Sequence, residues 1–363
     1  MEARLMNDIL TGRLEAFRQQ LPENKADAYI VTKEENKYYL SMFDSSSYEL
    51  VITEEKNYLL TDFRYEEAAS ALAPLYEIVI TKGGYGMKDF LAELRVHSVG
   101  LEFKNATVDY MTGIENALPE DSVILSYDGI IEKLRSVKDK TEMAYTARAE
   151  RIGDMAFTYI LNEIKPGVTE KEIALKLEFK MRELGAQRLS FDTIVASGKR
   201  SSLPHGHPSD RKIEKGDFVT MDYGCVVDGY CSDMTRTVAV GSVSQEQRKI
   251  YDIVYRAQTE TCAAIKAGMK AADVDAVARN IIEAEGYGDC FGHGLGHGTG
   301  LEIHEAPTAN PRSKEILEPG MLVTIEPGIY LPEKFGVRIE DLSIVAENGI
   351  INLTESEKGL IIL

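Results

Sequence analysis

Gly216-Asp217-Phe218-Val219-Thr220-Met221-Asp222-Tyr223-Gly224 returns later in the chain as Gly320-Met321-Leu322-Val323-Thr324-Ile325-Glu326-Pro327-Gly328, with Asp222 falling on Glu326. The match extends upstream. Ile164-Lys165-Pro166-Gly167, a helical stretch and Gly185 align with Ile265-Lys266-Ala267-Gly268, a helical stretch and Gly286, at a constant offset of 101. Self-similarity on this scale marks a duplicated unit. It predicts two helix-helix-strand halves facing each other about a pseudo-twofold axis, each giving carboxylates to one shared site.

Asp222 and Asp233 lie on two apolar β-type runs, 218–227 and 230–240, joined by Asp228-Gly229, a strong hairpin signal. A two-residue turn there sets Gly224 opposite Asp233, so Asp222 and Asp233 become diagonal neighbours on one face. The glycine is expected to leave room for an ion. Val219, Met221, Val226, Val227 and Met234 are too apolar for an exposed ribbon, and buried carboxylates need a cation or hydrogen-bond donors. Glu326 ends one β-type run and Glu340 lies on the next, with Arg338 on the same face as Glu340 by the strand period of two. Arg338 is therefore expected to hold Glu340 ionised or to bind an anionic substrate group.

Five of the six histidines fall in the same region: His205, His207, His293 and His297 in the glycine-alternating run 292–298, and His304. The His-x-x-x-His spacing is not the helical zinc motif, because no glutamate follows the first histidine. The residues alone leave the ligand histidine open. His207, and His97 in the first part of the chain, are left outside the site. Four carboxylates with one imidazole suit manganese, cobalt, iron or zinc. The inventory fits two ions about 3.5–4 Å apart that share bridging carboxylates and a water, the arrangement used for hydrolysis.

The rest of the chain narrows the class. Its 363 residues suggest two domains. Short β-type runs at 28–31, 49–52, 58–61, 77–80, 99–103 and 123–126 alternate with helical patterns at 64–75, 87–94 and 108–118, which predicts an α/β domain over 1–132. The charged stretch 133–142 marks the boundary, a long helix is expected from about Asp139, and the second domain runs over 133–363. A formal charge of −18 opposes nucleic acid or an anionic membrane as partner. Neither a signal peptide nor a membrane-crossing run is legible, so a cytoplasmic protein is expected. Four cysteines without CxxC spacing read as buried thiols. Gly198-Lys199 fails as a phosphate loop because Thr193 stands where the first glycine belongs and Arg200 follows the lysine. With no Gly-x-Ser-x-Gly elbow, a covalent nucleophile is not expected.

Taken in order, Pro204-His205-Gly206, Asp222 and Asp233 eleven apart, the run 292–298, His304-Glu305-Ala306-Pro307, Glu326-Pro327-Gly328 and Arg338-Ile339-Glu340-Asp341 resemble the creatinase/methionine aminopeptidase, or pita-bread, metallopeptidases. The first domain, with Thr61-Asp62-Phe63-Arg64-Tyr65, resembles the N-terminal domain of the Xaa-Pro aminopeptidase and prolidase branch. The resemblance implies an α+β fold: an α/β N-terminal domain and a pita-bread catalytic domain with a pseudo-twofold internal repeat. It implies two divalent ions, with Asp222 on one, His297 and Glu326 on the other, and Asp233 and Glu340 bridging. Manganese is expected, with cobalt or zinc as alternatives.

By the same resemblance His205 and His304 would contact the peptide and stabilise the tetrahedral intermediate, and His293 would take a substrate-side role. Glu326 would carry the proton from the bridging hydroxide's parent water to the leaving nitrogen, with Arg338 in support. The expected reaction is hydrolysis of the Xaa-Pro bond at the amino end of short proline-containing peptides, and a homodimer is expected. Prolidases of this branch carry an arginine just after His-Glu-x-Pro; Thr308 stands there, with Arg312 farther on, which favours an aminopeptidase over its alternative, a dipeptidase. A methionine-removing aminopeptidase, a metal-free creatinase-like hydrolase and an inactive peptide- or protein-binding relative rank below both.

Overall fold

The computed structural model describes residues 2–22, 25–45 and 47–363. The chain divides into two compact units, Met1–Arg135 and Ser136–Leu363.

The first unit is built on a mixed six-stranded sheet whose spatial order is Glu77–Ile80, Asn57–Thr61, Tyr48–Thr53, Ala28–Val31, Ser98–Leu101 and Val123–Ser126. Its central strand, Ala28–Val31, is buried throughout, as an apolar run without alternation requires. Three helices here went unanticipated, Glu2–Gln20, Glu34–Ser41 and Ile130–Ser136. Glu2–Gln20 is polar except for a stripe in which Leu10, Leu14 and Phe17 are buried, the i, i+4, i+7 spacing of one helical face. The helix expected over 64–75 is shorter, Glu66–Leu72, because Asp62 accepts from the Arg64 amide in a turn before it and Pro74 disfavours helical backbone at Ala73.

The second unit carries the duplication. Helices Lys140–Ile160 and Glu170–Glu183 in the first half correspond to Gln245–Ala264 and Ala271–Ala284 in the second. Three of the aligned glycine pairs take positive φ: 93° and 84° at Gly167 and Gly268, 108° and 84° at Gly185 and Gly286, 96° and 93° at Gly216 and Gly320. Matching backbone bonds follow. Gly167 N donates to Ile213 O at 2.8 Å and Gly268 N to Leu317 O at 2.8 Å, while Glu170 N to Arg211 O (3.1 Å) is repeated as Ala271 N to Glu315 O (2.9 Å).

In the first half, strand Phe218–Tyr223 lies between Ile194–Ser197 and Met234–Ala239, and in the second, Leu322–Ile325 pairs with Asp341–Ala346. Alternation along these strands separates packing from chemistry. Val219, Met221 and Tyr223 join Phe157, Ile160, Ile173 and Leu177 in one core, and Thr220 and Asp222 take the opposite face. Each such fully buried large apolar side chain contributes about 1.5–3 kcal/mol. The second half repeats the arrangement with Val323 and Ile325 against Val254, Val274 and Ile282.

The hairpin has the expected register. Val227 pairs with Tyr230, Tyr223 with Met234 and Asp222 with Thr235, around a turn with φ of 47° at Asp228 and 83° at Gly229. Two details differ from the sequence reading. The ladder is interrupted at Gly224 and at 232–233, and a Cβ on Gly224 would sit 1.9 Å from the Ser232 carbonyl oxygen. That glycine makes room for the facing backbone and not for an ion. Glu340, expected on a strand, occupies a two-residue break between Phe335–Arg338 and Asp341–Ala346, where its N–H donates to Thr235 O of the other half at 3.1 Å.

Candidate metal centre

Asp222, Asp233 and Glu340 each offer a carboxylate oxygen within 4.8 Å of the others, and all three residues are buried. His297 Nε2 is 3.6 Å from Asp233 Oδ2 and 3.5 Å from Glu326 Oε1, which brings the second half's imidazole and glutamate to the same point. Strand Phe218–Tyr223 carries Asp222, and Glu326 follows strand Leu322–Ile325, so the duplicated frame delivers one carboxylate from each side. Asp233 and Glu340 stand at the breaks that follow short β segments, where a side chain can leave the sheet plane.

The electrostatics are those of a group lacking its counter-charge. Burial, then Glu340, Asp222 and Glu326, raises Asp233 well above the usual carboxylate range. Burial, then Glu326 and Asp222, does the same to Glu340. Burial pushes Glu326 up to about 8. A divalent cation inverts this balance, since its charge favours the ionised form of every ligand. Asp222 Oδ1 is buried and has no hydrogen-bond partner. An acceptor in that condition is costly unless a cation meets it. The donor set therefore fits divalent metal ions.

The ring environments of His297 and His293 follow from their neighbours. His297 Nδ1 lies 3.0 Å from Gly298 O and so carries the proton, leaving the Nε2 lone pair facing Asp233 and Glu326. Burial pushes its pKa down to about 4, which keeps the ring neutral. His293 differs. Its Nδ1 is 2.7 Å from Gly294 O and its Nε2 is 2.9 Å from Tyr330 Oη, so both ring nitrogens are engaged within the chain. Burial, then Arg338, holds it down to about 4 as well. His304 is exposed, with its ring 4.4 Å from that of His297 at 77°. His205 is exposed on the connection after 198–202 and is one of the charges that depress His293.

Arg338 does not meet Glu340, as the strand period suggested, but Asp222: Nη2 donates to Asp222 Oδ2 at 2.6 Å. Its Nη1 donates to Tyr330 Oη (2.8 Å) and Pro204 O (3.2 Å), and its Nε to Thr235 Oγ1 (3.1 Å). All three nitrogens are thus committed, which opposes a role in binding an anionic substrate group. Glu340 is held instead by Thr235, whose hydroxyl donates to Oε2 at 2.6 Å.

Sequence reasoning missed three residues here. Thr235 was available from the hairpin parity, being the direct partner of Asp222. Tyr330 was available from the Gly328–Leu331 and Phe335–Arg338 hairpin, where Gly328 faces Arg338 and Gly336 faces Tyr330, so the two side chains are diagonal neighbours. Glu150, on helix Lys140–Ile160, gave no signal beyond one more charged helix position. It is fully buried, accepts from Asp233 N at 3.2 Å and from Thr354 Oγ1 at 2.7 Å, and burial pushes it up to about 8.

Among the described residues no helix is long and apolar enough to cross a membrane. The four cysteines are free, and burial raises Cys225 to about 12 and Cys231 to about 11, so neither is a thiolate ligand.

A duplicated frame closing on buried carboxylates and a neutral imidazole defines a metal-dependent hydrolase of the peptidase class. The chain belongs to metallopeptidase family M24, whose model matches residues 144–347, preceded by a creatinase/prolidase N-terminal domain matching 13–137. It is 39% identical to the Xaa-Pro dipeptidase of Pyrococcus furiosus over 96% of this chain and 99% of that one. Among solved structures it is similar to the Xaa-Pro dipeptidase from Bacillus anthracis, with a TM-score of 0.94 at 43% identity over 98% of this chain and 100% of that one. It is also similar to the X-Pro aminopeptidase from Thermotoga maritima, with a TM-score of 0.88 at 37% identity over 93% and 98%.

Proposed function

We propose that this enzyme is an Xaa-Pro dipeptidase that works with two divalent metal ions, manganese by preference. The observation that carries the reading is the buried group Asp222, Asp233 and Glu340, with the unsatisfied Asp222 Oδ1, in a chain similar along nearly its whole length to Xaa-Pro dipeptidases. This moves the balance from the aminopeptidase expected from Thr308 to the dipeptidase that was its alternative.

In this reading Asp222, Asp233, His297, Glu326 and Glu340 would hold the ions, with Asp233 and Glu340 in the central place between the two halves. Bound there, divalent ions supply a Lewis acid for the scissile carbonyl and bring the pKa of a water toward neutrality. The protein's own groups do the rest. An Xaa-Pro amide has no N–H, so its nitrogen must be protonated to leave, and Glu326 moves a proton from the attacking water to that nitrogen. His205 and His304, both exposed, orient the substrate and stabilise charge on the carbonyl oxygen. His293 keeps its orientation through Tyr330, and Arg338 keeps Asp222 in place. The homodimer and the cytoplasmic location expected from the sequence belong to the same proposal and are checked by sedimentation and cell fractionation.

The second reading, an aminopeptidase, is favoured by the likeness to the Thermotoga maritima structure and by Thr308 at the position after Pro307. Hydrolysis of leucyl-proline against leucyl-prolyl-alanine by manganese-loaded protein separates them. Dipeptide cleavage with the tripeptide at less than about a tenth of the rate is expected, a factor of ten being about 1.4 kcal/mol of discrimination. Comparable tripeptide cleavage overturns the dipeptidase assignment, and cleavage of neither overturns both readings.

A further inference from the structure

Glu170 opens the helix Glu170–Glu183 and is fully buried, yet it lies outside the group of carboxylates described above. Its Oε1 accepts from Ser197 N at 2.7 Å and Ser197 Oγ at 2.8 Å. Its Oε2 accepts from Arg200 Nε at 3.0 Å, Ser209 N at 3.0 Å and Ser209 Oγ at 2.6 Å. Ser197 ends the strand Ile194–Ser197 and Ser209 closes the connection that follows it, so one carboxylate fastens both ends of the segment that carries His205. Arg200 extends the hold inward, its Nη2 donating to His207 O at 2.6 Å. From the opposite side Arg338 Nη1 donates to Pro204 O at 3.2 Å.

We infer that Glu170 is a positioning residue for substrate, setting through this connection where His205 stands over the metal centre. The inference rests on the proposed reading in which His205 meets the peptide.

A buried carboxylate with five donors could equally be a staple of the fold. The duplication argues otherwise. The position matching Glu170 in the second half is Ala271, which is just as buried and makes the same backbone bond. That half uses a different carboxylate, Asp275 one turn along its helix, which accepts from Leu295 N at 3.0 Å and from Arg279, while Arg279 Nη2 donates to His293 O at 2.8 Å. Burying a carboxylate is costly unless donors offset it, and the two halves place theirs at different helix positions yet each holds, with an arginine, the connection that carries a histidine of the site. For Glu170 that is the His205 connection, which has no regular structure from 203 to 210 apart from a turn. Orientation of such a group matters to the reaction, because a displacement of about 1 Å can cost about a hundredfold.

The test uses the full, manganese-loaded chain with leucyl-proline and the variants Glu170→Gln, Arg200→Met, His205→Ala and the double variant Glu170→Gln/His205→Ala. Glu170→Gln keeps the volume but turns an amide N–H₂ toward Arg200 Nε and Ser209. Expected is a kcat/KM lowered about tenfold or more, with KM raised and kcat lowered, since His205 both orients the substrate and stabilises charge on its carbonyl oxygen. Calorimetric titration with Mn2+ alone should give the same number of sites and an affinity within about threefold of the parent, since the ligands are untouched. Arg200→Met should shift kcat/KM in the same direction by less. The double variant should be no worse than His205→Ala within about twofold, because two residues acting through one contact do not add.

Multiplying effects in the double variant overturn the inference, as does weaker Mn2+ binding by Glu170→Gln at unchanged kcat/KM. Should Glu170→Gln fail to fold, Arg200→Met, partly exposed, takes its place in the cycle, and multiplying effects of Arg200→Met with His205→Ala then overturn the inference in the same way. An unchanged kcat/KM in His205→Ala overturns the inference together with the substrate role of His205. Metal-loaded parent protein that cleaves no Xaa-Pro dipeptide overturns the proposed function as well.

Discussion

In the first half of the catalytic unit Asp222 receives Arg338 Nη2 at 2.6 Å, a guanidinium contributed by the second half. At the matching position of the second half Glu326 receives only the Thr324 hydroxyl, at 3.3 Å. The helices and glycine turns that lead to the two carboxylates agree down to single hydrogen bonds, so the shared frame alone does not account for the difference. It comes from which side chain the opposite half presents. Duplication supplies a symmetric pair of carboxylates, and the asymmetric partners give them different work. Glu326, which takes no guanidinium hydrogen bond, is the one left able to accept a proton and pass it on. Asp222, tied to a permanent cation, is suited to stay a ligand.

Asp233 is where that comparison can be broken most severely. It belongs to the first half, yet its carboxylate lies within 4.8 Å of those of Asp222 and Glu340 and its Oδ2 is 3.6 Å from His297 Nε2 of the second half. Asp233→Asn preserves its volume and removes its charge. Turnover of leucyl-proline should fall by about a thousandfold or more, because the proposed function gives this carboxylate to the ions in the central place between the two halves. Circular dichroism should be unchanged. Turnover within tenfold of the parent would show that the two halves do not meet through this carboxylate.

A smaller loss is expected for Arg338→Lys, which keeps a positive charge beside Asp222 but cannot reach Tyr330, Pro204 and Thr235 together. The expected fall in kcat/KM is about ten- to a hundredfold, the range for losing a buried charge-assisted fork. An unchanged kcat/KM would mean that charge alone distinguishes Asp222 from Glu326, and that the shape of the guanidinium contributes nothing.

How much of this was legible follows from what local rules can carry. The duplication could be read because glycines at positive φ and period-two apolar strands leave marks in sequence, as at Gly167 with Gly268 and Gly216 with Gly320. The hairpin register followed from Asp228-Gly229 alone. The partner of Arg338 was not legible, because strand periodicity fixes a face within one hairpin and says nothing of what the opposite half brings to that face. Gly224 was misread for a related reason: an absent side chain leaves space, and only the facing strand shows what fills it. Glu150 reaches Asp233 from a helix, a contact 83 residues apart with no periodic signature. In the first unit, Leu10, Leu14 and Phe17 did mark a helical face, but that segment was weighed only as a leader.

The smallest effect expected concerns the metal-free protein, and its sign follows from proton counts. Asp233 and Glu340 are raised well above the usual carboxylate range, and Glu326 and Glu150 to about 8, whereas in the unfolded chain all four titrate near 4. Between pH 6.5 and 8 the folded state therefore binds more protons than the unfolded state, and stability falls as pH rises through that window. Below pH 6.5 the comparison blurs. His293 and His297, held down to about 4, are then protonated only in the unfolded chain, so their contribution runs the other way. Thermal melts in EDTA should accordingly show a midpoint a few degrees lower at pH 8 than at pH 6.5. Saturating Mn2+ should reverse the order, since ions bind the charged carboxylates and stabilise the folded state by mass action. Glu326→Gln removes one of the four protons from the count and should flatten the EDTA slope without abolishing it. A midpoint in EDTA that is level or rises from pH 6.5 to 8 would mean that the carboxylates are solvated when the ions leave, and that Glu326 differs from Asp222 only in the ion it holds.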